Sequence, residues 1–141
     1  FILLKPSTYV NLSGRAVNYW LQKEKVSLSN LLVLVDDIAL PFGQLRLKSR
    51  GGHGGHNGLR DIIGFLGTDD FARLRFGIGA DFGKGYQVDY VLSEWSDDEK
   101  KVLPEKIDYA IEIIKSFGTL GIERTMNYYN KKVNGSQDQN R

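Results

Sequence analysis

Apolar runs and apolar–polar alternations divide this chain into short strands and amphipathic helices. Phe1-Ile2-Leu3-Leu4 is a continuous apolar run, the pattern of a strand buried on both faces. Pro6, which has no N–H to give to a ladder, closes it. Asn11 or Ser13 can cap a following helix whose buried stripe is Ala16, Val17, Trp20 and Leu21. Leu31-Leu32-Val33-Leu34-Val35 is a second buried strand, and it ends in two carboxylates, Asp36 and Asp37. After the Pro41-Phe42-Gly43 turn, Gln44 to Lys48 alternates polar with apolar, as a strand with one wet, basic face does. Leu59 to Leu66 returns to helical spacing. Phe71 to Gly79 alternates again, with Leu74, Phe76 and Ile78 on one side and Arg73 and Arg75 on the other. Val88 to Leu92 is a short apolar segment. Ser96-Asp97-Asp98-Glu99 is a cap signal for a helix with the stripe Leu103, Ile107, Ala110, Ile111, Ile114 and Phe117, and Pro104 is tolerated if it falls in the first turns. A last short helix is expected to end near Asn130.

Strands alternating with helices predict an α/β fold, a three-layer α/β/α sandwich around a mixed, mostly parallel sheet. The alternating segments at 44–48 and 71–79 supply the antiparallel part. The 141 residues predict one domain over 1–132 and a flexible polar tail over 133–141. The chain opens on Phe1 inside an apolar run, so the expectation is a domain shown without its N-terminal strand. No cysteine is present, which excludes a disulfide framework and a thiolate zinc site. No apolar run approaches the roughly 20 residues of a membrane span. The net charge of +2 is mild, so any nucleic-acid role must come from a local patch.

The candidate chemistry is concentrated in Gly51-Gly52-His53-Gly54-Gly55-His56-Asn57-Gly58-Leu59, which holds five glycines, both histidines of the protein and an asparagine. A glycine-rich loop running into a helix can offer backbone N–H groups to a ligand. It is not a P-loop, because the Gly-Lys-Ser/Thr ending is absent, and its glycine spacing does not fit a dinucleotide fingerprint. A metal site built from His53, His56, Asp36 and Asp37 would be a thin ligand set on a pliable loop. A plain tight connection with solvated histidines is the bland reading, and two histidines and an asparagine together weigh against it. If the alternating strands pair, Arg46, Lys48, Arg73 and Arg75 share one face and form a cluster suited to phosphates; an ordinary solvated sheet face is the competing reading. Asp36 and Asp37, at the carboxyl end of a strand, stand where ligands bind in open α/β sheets if that strand is central.

Four stretches in order carry a family resemblance: Lys5-Pro6-Ser7-Thr8-Tyr9-Val10-Asn11-Leu12-Ser13-Gly14, Asp36-Asp37-Ile38-Ala39-Leu40-Pro41-Phe42-Gly43, the loop from Gly51 to Leu59, and Phe71 to Gly79. Over about residues 1 to 115 the chain resembles the bacterial-type peptidyl-tRNA hydrolases. The resemblance implies a cytoplasmic, monomeric enzyme without cofactor or metal. It would cleave the ester between peptide and tRNA in peptidyl-tRNA and return the tRNA to translation. By resemblance, Asp36, Asn11 and Asn57 form the catalytic set. Asp36 orients a general-base histidine, and the two asparagines hold peptide and water near the ester. Tyr9 and His56 match residues lining the substrate site, and Lys48 and Arg75 match a pair that grips the tRNA 5′ phosphate. The family's general base belongs to a segment of Gly-Leu-Gly-Asn and Thr-Arg-His-Asn type that no stretch of this chain matches, since His53 and His56 both match glycine-loop positions. Val35 and Ala39 are smaller departures from the family pattern. The alternative is a non-catalytic RNA-binding module of the same fold.

Overall fold

The structure, a computed structural model, describes residues 1–80 and 93–138, with side chains through residue 130. The apolar segment expected at Val88 to Leu92 lies outside the described residues. Among the described residues three strands form the sheet: β1 (Leu32–Asp37), β2 (Leu45–Lys48) and β3 (Ala72–Gly77). Their order is β1-β3-β2, with β1 parallel and β2 antiparallel to β3, so the sheet is mixed as expected.

Helices α1 (Ser13–Lys23) and α2 (Asn57–Leu66) cover one face of the sheet. Val17, Leu59 and Ile62 pack there against Val35 and Phe71. Helices α3 (Asp97–Leu120) and α4 (Ile122–Asp138) cover the other, where Ala110 and Ile113 meet Leu45, Leu47 and Leu74. The alternation in β2 and β3 is what makes this possible. Leu45 and Leu47 face the α3 and α4 layer, and the paired positions Arg46–Arg75 and Lys48–Arg73 face the other side.

Several sequence expectations are corrected. Phe1 to Leu4 forms no strand; Phe1 and Leu3 are 80% and 88% exposed. An apolar run becomes a strand only where a neighbour completes its ladder, and none of the described strands pairs with it. Neither Asn11 nor Ser13 caps α1 through its side chain. A 3-10 turn, Val10–Leu12, precedes the helix, and the carboxylate of Asp61 on α2 accepts the Gly14 N–H at 2.7 Å. A tertiary partner thus satisfies one of the orphan N–H groups at this helix start. The stripe of α1 buries Gly14 and Val17, while Trp20 lies at the exposed edge against Tyr19 and Lys23. In α3 the buried residues are Ala110, Ile113 and Phe117, and Ile107 and Ile111 are exposed. Ser96 and Glu99 form a reciprocal capping box, so α3 starts at Asp97 and Pro104 sits inside the helix, on its exposed side. Helix α4 runs on to Asp138, beyond the end expected near Asn130.

Candidate active site

The site is assembled at the carboxyl end of β1, the start of α2 and the turn before α1. Residues 49–56 connect β2 to α2, and positive φ at Gly54 (57°) and Gly55 (84°) lets this loop fold back on itself. The Gly55 N–H donates to His53 Nδ1 at 3.0 Å and the His56 N–H donates to the His53 carbonyl at 2.9 Å. These amides are therefore spent within the loop. The expectation that the loop offers its N–H groups to a ligand is corrected at Gly55 and His56.

His56 is the N-cap of α2. The Leu59 N–H donates to its Nδ1 at 3.1 Å, and its Nε2 faces Asp36 Oδ1 at 2.9 Å. A ring nitrogen that accepts an amide N–H carries no proton, so the proton of this neutral imidazole is on Nε2 and is donated to Asp36. Both nitrogens of His56 are thereby engaged. The His56 hydrogen bond holds the Asp36 carboxyl below the usual carboxylate range, against the opposing effect of partial burial. Asp36 is thus an ionised carboxylate at a strand end, oriented by an imidazole.

Asn11 and Asn57 come from different elements and line one groove of about 680 Å³, together with Arg60, Asp61, Gly64 and Phe65. They meet because the 3-10 turn packs onto the start of α2: a Cβ at Gly58 would lie 2.7 Å from Val10 Cγ1. Tyr9, at the start of that turn, is exposed. On the neighbouring side of β1, Asp36 and His56 line a second, larger and mainly apolar cavity of about 780 Å³.

The basic face is only partly as expected. The pairing of β2 with β3 does put Arg46, Lys48, Arg73 and Arg75 on one side. Lys48 is exposed, but Arg73 is fully buried and is withdrawn from any phosphate. Arg75 Nη1 donates to Asp37 Oδ2 at 3.2 Å, and the two side chains are only 16% and 13% exposed. A ligand phosphate at Arg75 would therefore share that cation with Asp37. Asp37 also accepts the Ala39 N–H at 2.8 Å, which fixes the chain as it leaves β1. The two adjacent carboxylates thus have separate partners. The metal reading finds no support in this arrangement: His53 folds onto Gly55, and no group of three His, Cys, Asp or Glu side chains converges among the described residues.

Sequence reasoning missed the roles of Asp61, Asp37 and Arg73. The only signal for Arg73 was its place in an alternating strand, which equally suits a solvent-facing cation.

Residues 1–137 match the family model of peptidyl-tRNA hydrolase. This chain belongs to the peptidyl-tRNA hydrolase family. It is 60% identical over 131 residues to a peptidyl-tRNA hydrolase of Phocaeicola vulgatus, covering 93% of this chain and 70% of that protein. It is 44% identical over 131 residues to the one of Geobacter metallireducens, covering 93% of this chain and 67% of that protein. Among solved structures it is similar to the peptidyl-tRNA hydrolase of Acinetobacter baumannii, with 34% identity and a TM-score of 0.79, covering 86% of this chain and 62% of that one. The chain thus spans 70% of the length of the first relative and 62% of that of the solved structure.

Proposed function

We propose that the protein carrying this chain hydrolyses the ester between peptide and tRNA in peptidyl-tRNA and releases the tRNA for reuse in translation. The observation that carries this reading is the family match over residues 1–137. The site chemistry is compatible with it. Ester hydrolysis needs a general base for the attacking water and polar groups that hold the acyl portion. Asn11 and Asn57, facing one groove, are the proposed holders of peptide and water, and Tyr9 and His56 are proposed as further substrate contacts. Asp36 is the proposed carboxylate that orients the base. The resemblance puts that base on a histidine matched by neither His53 nor His56, which agrees with the engagement of both His56 nitrogens. Lys48 is the proposed main contact for the tRNA 5′ phosphate, with Arg75 sharing its charge between phosphate and Asp37. A cytoplasmic monomer acting without metal or cofactor completes the proposal. Among the described residues no helix is long and apolar enough to cross a membrane. The reading as a non-catalytic RNA-binding module is not favoured, because the similar proteins are named hydrolases.

The test is release of free tRNA from an N-blocked aminoacyl-tRNA by the full-length protein. Turnover is expected in the wild type, with Asn11→Ala and Asp36→Ala each lowering it at least about tenfold. Tight tRNA binding without any release of the acyl group would sink the proposal and favour the binding module.

A further inference from the structure

Arg73 is the one charged side chain that is fully buried among the described residues, and nothing in the proposed reaction uses it. It rises from the start of β3 and lies over the Phe71 ring, 4.4 Å from its centroid. Its guanidinium donates to the carbonyls of Gly51, Gly52, Asp69 and Phe71. These acceptors are backbone oxygens, and they lie on two separate connections. Gly51 and Gly52 belong to the loop that enters α2, and Asp69 and Phe71 belong to the segment between α2 and β3. One planar fork therefore ties the connections on both sides of α2 to the strand beneath. An apolar side chain of similar size fills the same space without leaving a buried charge, so packing alone does not call for arginine here. What only a guanidinium does is satisfy carbonyls in several directions at once. Gly51, at φ 145° with open space where a Cβ would stand, owes its glycine to backbone conformation, and its carbonyl is one of those turned onto Arg73. The helix start so anchored carries His56 on Asp36 and Asn57 in the groove.

We propose that Arg73 is a positioning residue for the reaction: by holding the connections on both sides of α2, it sets where His56 and Asn57 stand relative to Asp36. The inference rests on the proposed hydrolase reading for its kinetic part alone. The variant is Arg73→Lys, which keeps the charge and most of the stem but places its donors on a single atom. In the full-length protein at a temperature where the variant is folded, kcat is expected to fall about 10- to 100-fold, with KM changed less than about threefold, because a displacement on the order of 1 Å costs about this much. In parallel, 15N spectra of the histidine rings report the tautomer. Wild-type His56 is expected as a single Nε2–H form, and Arg73→Lys as a shifted or mixed signal. An arginine that merely stabilised the fold would lower the melting temperature and leave both readouts as in the wild type. An unchanged His56 spectrum, or a kcat within about twofold of wild type, overturns the proposal. If the wild type releases no tRNA, the hydrolase reading fails and the His56 spectrum alone decides the positioning. If Arg73→Lys does not fold, the decision passes to the wild-type Arg73 Nη signals. Separate, slowly exchanging Nη resonances support the clamp, and one averaged, freely rotating signal overturns it.

Discussion

Asp36 and Asp37 are chemically identical neighbours, and the structure sends them to different work. Asp36 takes the imidazole of His56, whereas Asp37 takes Arg75 and the Ala39 N–H. The Asp36 pairing predicts a pH signature. Its folded-state pKa is lowered, so its contribution to stability is present above the ordinary aspartate value of about 3.9 and is lost as pH falls through the lower folded value. The difference in urea midpoint between wild type and Asp36→Asn is therefore expected to be level above about pH 5 and to shrink below about pH 4. A difference that grows on acidification would contradict the pairing. At Lys48 the expectation is kinetic: Lys48→Ala raises KM for the tRNA substrate, leaves kcat nearly unchanged and reduces the salt slope of binding by about one. A salt titration of tRNA affinity checks it. The carboxylates, the histidines and Asn57 were legible as candidates from residue type and position, whereas Asn11 entered only through the resemblance. Which carboxylate meets which cation was not, since both occupy the same strand end.

Each element was legible where its own residues supply the signal. The Ser96–Glu99 capping box was read from four consecutive residues and is present as a reciprocal pair. Ser96→Ala should cost about 1 kcal/mol, seen as a lower urea midpoint at unchanged m-value. Helix α1 shows the other case, because its start is satisfied by Asp61, a residue 47 positions away. The closeness of that approach depends on Gly14, where a Cβ would lie 2.3 Å from the Asp61 carbonyl oxygen. Gly14→Ala improves helix propensity locally, yet it is expected to destabilise the protein by about 1–3 kcal/mol through overpacking of the α1–α2 contact. Chemical denaturation decides between the two, and a gain in stability would show that α1 can shift freely. Phe1 to Leu4 failed as a strand for the same reason that α1 lacks a local cap. Ladder and cap partners are tertiary facts.

Across the whole molecule, β2 is an edge of the sheet among the described residues, and the last helix bonds to it. Asn130 on α4 donates from Nδ2 to the Leu47 carbonyl at 2.9 Å, and its Oδ1 accepts the Leu47 N–H at 3.3 Å, so a side-chain amide pairs with the strand's backbone. Asn130→Leu should leave the Leu47 N–H without this acceptor and raise its hydrogen-exchange rate while the α1–α2 layer keeps its protection. Uniform exchange across both layers would show that this edge is not a separate unit. The sequence by itself determined the α/β class and the mixed sheet, and it marked the glycine loop and Asp36 as candidate chemistry, while the roles of the asparagines came only with the family resemblance. Periodicity and residue type are local properties that survive without coordinates. Only the tertiary structure decided that Arg73 turns inward to four backbone carbonyls while Lys48 opposite it stays in solvent. Both sit on the same face of paired strands with the same polar–apolar alternation. The outcome depends on what covers each position, and here the glycine loop and the α2–β3 connection lie over one and water over the other.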